Sequence, residues 1–238
     1  MNMTRTIQAS AATHAGAIRP RNQDACLCRP EIGLFAVADG VGGQGDGAVA
    51  SRAVMAALDT IPHDMAAAQR LSVIRARLQE VHCTLLEMSE VPGSATTVVV
   101  IMMHDDYFVC LWVGDSRAYL LRNDELCCLT RDHSMVQDLI DAGTITEAQA
   151  ESDPRRHVIT RAVGAGDTDL RVDKATGRIL PGDRFLLCTD GLYKTIEASE
   201  IIRLLGERED PAARMIETAL SRHARDNVTA VIAGYPGF

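Results

Sequence analysis

Residues 32–40, IGLFAVADG, form a short apolar run that ends in Asp39 beside a glycine. The same arrangement recurs in WVGDS, which carries Asp115, and in LLCTDG, which carries Asp190. A fourth aspartate, Asp226, stands with Asn227 directly before the apolar run VTAVIAG. Short apolar runs bounded by turn residues are typical of buried strands. The sequence therefore predicts four aspartates at the ends of strands.

Two interpretations of these aspartates are open from the residues alone. An aspartate at a strand end ordinarily satisfies the backbone amides of a turn, and that explains each one taken singly. Strand ends at one edge of a layered fold can also converge, and converging carboxylates are costly unless a cation neutralises them. Oxygen ligands without histidine or cysteine favour Mg²⁺ or Mn²⁺.

The remaining hydrophobic patterns mix helices with strands. Helices are predicted at 47–58, with Asp46 as the N-cap, and at 65–88, 198–205 and 211–224. Further strands are predicted at 97–103, 107–113, 117–121, 125–129 and 184–188, the first four as an antiparallel meander. Residues 135–156 are polar and are predicted to be helical in pieces, broken by Gly143 and Pro154. Strands grouped between helix pairs indicate an α+β layered sandwich.

The composition limits the classes of protein that the chain can represent. Its 238 residues are 47% hydrophobic and carry a net charge of -8, which excludes a disordered chain and argues against binding to nucleic acid. No apolar run is long enough to cross a membrane, and no signal peptide is recognised. The seven cysteines include no C-x-x-C pair, which favours reduced thiols. We expect a single domain at residues 1–238 and a cytoplasmic location.

A nucleotide-binding alternative arises from Gly40-x-Gly42-x-x-Gly45, which follows a strand and opens a helix. This spacing formally matches the dinucleotide-binding fingerprint. The fingerprint requires a second parallel strand after the helix, but the helix here leads through Ile61-Pro62 into another helix. The pattern without that context is weak, and a tight glycine-rich turn explains it equally.

Seven short motifs occur in an order and spacing that resemble a known family. They are Arg19-x-x-Asn22-Gln23-Asp24, Asp39-Gly40-Val41-Gly42-Gly43, Ser94-Ala95-Thr96-Thr97, Val113-Gly114-Asp115-Ser116-Arg117, Thr130-Arg131-Asp132-His133-Ser134, Cys188-Thr189-Asp190-Gly191-Leu192 and Asp226-Asn227-Val228-Thr229. Over about residues 5 to 234 the chain resembles the metal-dependent protein phosphatases of type 2C (the PPM family), in their compact bacterial form. The resemblance implies a four-layer α-β-β-α sandwich, in which two antiparallel sheets are flanked by helix pairs.

The resemblance also implies a centre of two Mn²⁺ or Mg²⁺ ions. In that centre Asp39 would bridge both metals, and the carbonyl of Gly40 would bind the second. Asp190 and Asp226 would complete the protein ligands of the first metal. Asp24 would hold metal-bound water from outside the coordination sphere.

Further residues match the family pattern or depart from it. Asp115 matches a residue that binds a third, weaker metal together with Asp190, and Arg19 matches the arginine that grips the substrate phosphate. Residues 135–156 fall where the family has its variable flap. Gln23 replaces a usual acidic residue, from which we expect altered metal affinity. Val41 replaces the histidine that is the proposed general acid of eukaryotic members.

The function implied by the resemblance is hydrolysis of phosphoserine and phosphothreonine in proteins by a metal-activated water. The implied partners are phosphorylated proteins and a cognate serine/threonine kinase, and we expect a monomer. The alternative is a catalytically weak regulator that binds phosphoproteins on the same fold. Because Arg19 and the core aspartates are all present, the residues favour the enzyme.

Overall fold

The computed structural model describes residues 6–42, 47–88, 94–207 and 209–235, and its strands form two antiparallel sheets. Sheet I has the strand order β2-β3-β5-β6-β9, with β4 paired to β3, and sheet II has the order β1-β11-β10-β7-β8. The strands of sheet I are β2 (Asp24–Arg29), β3 (Leu34–Val41), β4 (Ala95–Thr96), β5 (Val98–His104), β6 (Tyr107–Val113) and β9 (Asp173–Arg178). The strands of sheet II are β1 (Gln8–His14), β7 (Arg117–Arg122), β8 (Glu125–Cys128), β10 (Arg184–Cys188) and β11 (Val228–Gly234).

Helices cover the outer face of each sheet. The pair α1 (Gly47–Asp59) and α2 (Ala67–Glu87) packs on sheet I, and the pair α6 (Ala198–Leu205) and α7 (Pro211–Ser221) packs on sheet II. Three shorter helices lie outside these pairs: α3 (Met135–Asp141), α4 (Glu147–Ser152) and α5 (Asp190–Tyr193). The α+β prediction of a four-layer α-β-β-α sandwich is confirmed.

Alternation along the central strands explains why their sequences are apolar throughout. In β3, Leu34 and Ala36 face the helices of sheet I, whereas Phe35 and Val37 face sheet II. Successive side chains of a strand point to opposite faces, so a strand that is covered on both sides needs apolar residues at every position. The core therefore has three layers of hydrophobic contacts, one between the sheets and one under each helix pair.

The predicted meander of four strands is wrong. β5 and β6 pair within sheet I, but β7 pairs with β8 and β10 in sheet II, so the chain crosses between the sheets at residues 114–116. A continuous apolar run indicates that a strand is buried on both faces, and it carries no information about which neighbour the strand pairs with. The crossing places Asp115 between the two sheets.

Other differences concern the edges of the fold. The analysis of the sequence did not predict β1, β2 or β9, which are all edge strands with many partly exposed side chains. The last helix ends at Ser221, earlier than predicted, and His223 follows with a φ of 58°. The predicted cap Asp46 lies outside the described residues. In the part of the chain that the structure describes, no helix is long and apolar enough to span a bilayer.

The dinucleotide-binding alternative does not fit this topology. The helix α1 is followed by α2, and β3 pairs only with antiparallel strands, so the βαβ unit is missing from the described residues. Gly40 instead allows β3 and α1 to approach closely, because a Cβ added there would lie 2.2 Å from the carbonyl oxygen of Gly47. Gly45 lies outside the described residues.

Candidate metal centre

Four polar side chains enter the space between the sheets at one edge of the sandwich. Asp24 and Asp39 are direct partners in the β2–β3 pairing, and each lies two residues from a side chain that faces sheet II. Thr189 follows the inward-facing Leu187 by two residues, and Thr229 precedes the inward-facing Val231 by two. The twofold alternation of strands therefore directs both carboxyls and both hydroxyls into the same space.

Asp24 is buried, and one of its two carboxylate oxygens accepts hydrogen bonds from the protein. Its Oδ2 accepts hydrogen bonds from Thr189 Oγ1 at 2.8 Å and from Thr229 Oγ1 at 2.6 Å, which tie sheet I to sheet II. Its Oδ1 has no hydrogen-bond partner among the described residues. Burial raises the pKa of Asp24 to about 7, against the two threonine hydrogen bonds, which lower it. A buried carboxylate oxygen without a protein donor is suited to accept a hydrogen bond from a water.

Asp39 is fixed through its backbone by two neighbouring threonines. Its N–H donates to Thr97 Oγ1 at 2.9 Å, and its carbonyl accepts from Thr96 Oγ1 at 2.9 Å. Thr97 Oγ1 also bonds to Ser116 Oγ at 2.7 Å, which links Asp39 to the crossing between the sheets. Burial and the charges of four other aspartates raise the pKa of Asp39 well above its usual range; they are Asp24, Asp190, Asp115 and Asp226, in order of size.

Asp190 and Asp226 come together where α5 begins beside β11. A Cβ added at Gly191 would lie 2.0 Å from Asn227 O and 3.5 Å from Asp226 Cβ, so only glycine allows this approach. Each carboxylate contacts one cation: Lys194 Nζ donates to Asp190 Oδ2 at 2.7 Å, and Arg19 Nη2 donates to Asp226 Oδ2 at 2.9 Å.

Asp115 lies at the crossing between the sheets, with only 7% of its surface exposed. Its carbonyl accepts a hydrogen bond from Tyr193 Oη at 3.0 Å. The preceding residue, Gly114, donates its N–H to Nδ1 of the buried His133 at 3.0 Å. Burial, followed by repulsion from Asp190, raises the pKa of Asp115 to about 6.

The loop that carries Arg19 is attached to the start of β11 by Asn227. Asn227 Nδ2 donates to the carbonyls of Ala15 and Arg21 at 2.9 and 3.0 Å, and its Oδ1 accepts from the N–H of Gln23 at 2.8 Å. The Gln23 side chain donates from Nε2 to the carbonyl of Gly42 at 3.4 Å. Asn227 therefore sets the position of the Arg19 loop relative to Asp226.

The arrangement fits hard divalent cations by its chemistry. The predicted residues Asp24, Asp39, Asp115, Asp190 and Asp226 interact electrostatically, and every donor is an oxygen. Within the described ranges, however, no three acidic, histidine or cysteine side chains lie close enough to form a ready-made metal site. The two findings agree because repulsion between charges acts over longer distances than a coordination bond. The carboxylates face one space and are spread around it.

Several residues of this site had no role in the analysis of the sequence. The hydroxyls of Thr189 and Thr229 hold Asp24, Asn227 holds the Arg19 loop, and Lys194 contacts Asp190. Thr189, Thr229 and Asn227 lie inside the seven motifs, and Lys194 follows one of them by two residues. A short polar residue beside a buried strand end needs a hydrogen-bond partner, and this rule could have drawn attention to the first three. The partners themselves are distant in sequence and become visible only in the fold.

Comparison with known proteins identifies the family. The family model described as "Protein phosphatase 2C" matches residues 14–233 of the chain. The chain belongs to the protein phosphatase 2C family. The serine/threonine protein phosphatase PstP of Mycobacterium tuberculosis is 34% identical over 237 residues, which cover 97% of this chain and 45% of PstP. The chain thus spans about half the length of this 2C relative.

Solved structures of relatives have the same 2C fold. PppA, a key regulatory component of T6SS in Pseudomonas aeruginosa, is 34% identical with a TM-score of 0.87, over 96% of this chain and 97% of PppA. The catalytic domain of PstP in complex with two manganese ions is 32% identical with a TM-score of 0.86. That alignment covers 97% of this chain and 98% of the PstP domain.

Proposed function

We propose that the chain is a protein serine/threonine phosphatase that depends on Mn²⁺ or Mg²⁺. The observation that carries this proposal is that five aspartates act electrostatically on one another in a protein phosphatase 2C fold. The relative solved with two manganese ions supports the choice of metal. The alternative, a catalytically weak regulator that binds phosphoproteins, is disfavoured, since Arg19 and the core aspartates are all present.

The proposed protein ligands of two divalent ions are the carboxylates of Asp39, Asp190 and Asp226 and the carbonyl of Gly40. Asp24 is proposed to lie outside the coordination sphere, and Asp115 near Asp190. Bound ions would supply a strong nucleophile from water near neutral pH and stabilise charge on the phosphate. The chain contributes the fixed positions of its carboxylates. Thr96 and Thr97 hold the backbone of Asp39, and the inter-sheet hydroxyls hold Asp24.

Arg19 is the proposed binding residue for the substrate phosphate. Its side chain is 53% exposed, and its pKa is raised first by the hydrogen bond to Asp226 and then by the charges of Asp226, Asp39 and Asp190. A guanidinium has five N–H donors, and the bond to Asp226 uses one of them. Other donors can therefore bind two phosphate oxygens in parallel while the loop stays attached through Asn227.

Replacing Arg19 with alanine should raise KM for p-nitrophenyl phosphate and lower kcat/KM by roughly one to two powers of ten, because charge-assisted hydrogen bonds to phosphate are lost. Arg19→Lys is the matched control, and it should recover only part of the loss, since an ammonium cannot bind bidentately. Inhibition by free phosphate should weaken in parallel with the rise in KM. Steady-state kinetics that give unchanged KM and unchanged phosphate inhibition in Arg19→Ala would place the phosphate site elsewhere.

The substrate class is proposed to be phosphoserine and phosphothreonine in proteins, with a cognate serine/threonine kinase as the opposing enzyme. Release of phosphate should be measured from matched peptides that carry phosphoserine, phosphothreonine or phosphotyrosine. We expect turnover of the first two with Mn²⁺ present and at least tenfold slower turnover of the third. Equal turnover of all three peptides would contradict the assignment of substrate class.

We further infer a single phosphatase domain at residues 1–238, active as a monomer in the cytoplasm. The pairing of β1 with β11 supports one domain, since it joins the two ends of the described chain in one sheet. Residues 135–156 are the proposed flap that shapes access of the substrate. Its helices α3 and α4 bury only Ala150, which supports a segment free to differ between relatives.

A further inference from the structure

Lys194 is one of two lysines in this chain. Of the 24 basic residues other than histidine, 22 are arginines, and Lys174 is the other lysine. Lys194 follows Asp190 by one helical turn through α5, and its Nζ lies 2.7 Å from Asp190 Oδ2. The Lys194 side chain is 35% exposed and that of Asp190 is 18% exposed, so solvent screens this ion pair less than the Arg19–Asp226 pair at 53% and 42%.

The Lys194 ammonium also acts on Asp115. Asp190 and Asp115 repel each other, and the charge of Lys194 opposes this repulsion. Asp190 and Asp115 in turn both stabilise the protonated form of Lys194. Tyr193 adds a structural link, because its hydroxyl donates to the carbonyl of Asp115 and the Lys194 Nζ lies 5.8 Å from the centre of its ring. The Lys194 ammonium is thus in contact with Asp190 and acts on Asp115 through its charge.

We propose that the Lys194 ammonium neutralises the Asp190–Asp115 side of the metal centre in place of a divalent ion, so that the chain binds two divalent ions and not three. The inference rests on the proposed two-metal centre and specifies its stoichiometry. A divalent ion shared by Asp190 and Asp115 would have to sit beside the ammonium, where the two positive charges repel each other. An oxygen of Asp190 that accepts from Lys194 is also a weaker donor to a metal.

The test is a count of Mn²⁺ ions bound to the metal-free full chain, by calorimetric titration and by equilibrium dialysis. Wild type should bind two ions, and Asp115→Asn should also bind two, because Asp115 holds no ion while Lys194 is present. Lys194→Gln should bind three, and the added ion should be lost in Lys194→Gln combined with Asp115→Asn. Lys194→Met should behave as Lys194→Gln does, which keeps the test valid if one variant folds poorly.

Two controls separate the charge of Lys194 from its side-chain volume. Lys194→Arg keeps a cation at this position and should bind two ions. Lys174→Gln removes the other lysine, which is exposed on β9, and should also bind two. Binding of three ions by wild type, with one lost in Asp115→Asn, would overturn the proposal, as would two ions in both Lys194→Gln and Lys194→Met. Wild type that binds no Mn²⁺ would overturn the metal centre of the proposed function as well.

Discussion

Chelation of divalent cations with EDTA should reduce hydrolysis of p-nitrophenyl phosphate to the uncatalysed level, and Mn²⁺ should restore it. The reason lies in the composition of the site. Asp39, Asp190 and Asp226 offer only oxygen donors, and the proposed nucleophile is a water activated by the ions that they would hold. Zn²⁺ should restore activity poorly, since an all-oxygen site does not match its preference for nitrogen and sulfur.

Substitutions at the proposed metal ligands test metal binding separately from folding. Asp39→Asn should lower kcat/KM by about three powers of ten or more, because a buried carboxylate that four other aspartates repel would no longer attract a cation. Asp226→Asn should keep the fold but bind Mn²⁺ more weakly in a calorimetric titration. Asp124→Asn is the matched control: Asp124 is exposed in the β7–β8 turn with a φ of 62°, which asparagine tolerates, and its activity should be unchanged.

Phosphatase activity that persists in thoroughly demetallated wild type would refute the metal-dependent mechanism. Wild-type Mn²⁺ affinity in both Asp39→Asn and Asp226→Asn would refute the assigned ligands and leave the metal dependence standing. The two results are independent, because the first concerns the reaction and the second concerns which residues hold the ions.

The central strands and the positions of their aspartates could be predicted because they depend on local sequence. β10 and β11 have the predicted bounds, since each is an apolar run buried on both faces. Asp39, Asp190 and Asp226 stand where such runs end or begin, and the order of the seven motifs then resembled one family. Local pattern and family resemblance together were sufficient to predict the layers of the fold and to name the candidate acidic residues.

The contacts between the sheets could not be predicted from local sequence. The chain crosses from β6 to β7 through residues 114–116. Both strands are mostly apolar, so the sequence pattern does not show that they belong to different sheets. The hydrogen bond from Thr229 to Asp24 joins residues 205 positions apart, and no spacing rule connects them. The sequence assigns Lys194 no role, and its contact with Asp190 and its electrostatic interaction with Asp115 become visible only in the fold.

The metal-free protein should lose stability as pH rises from about 4 to about 7. Burial holds the pKa of Asp24 at about 7 in the folded chain, against about 4 for an unfolded aspartate. Between these values the folded state binds more protons than the unfolded state, so the free energy of unfolding falls with increasing pH. For Asp24, a pKa shift of this size corresponds to a fall in the free energy of unfolding on the order of 4 kcal/mol. Asp115, with its pKa raised to about 6, contributes a fall in the same direction.

Urea unfolding in EDTA at a series of pH values measures this effect, and Asp24→Asn identifies its source. The amide is neutral at every pH, and its oxygen can still accept from Thr189 and Thr229. At pH 8 the variant should therefore be more stable than metal-free wild type, and at pH 4 the two should be nearly equal. Mn²⁺ should raise the stability of wild type most at high pH, because the cation compensates the same charge that the amide removes. A urea midpoint in wild type that rises between pH 4 and pH 7, with an equal rise in Asp24→Asn, would show that the pH dependence arises outside this centre.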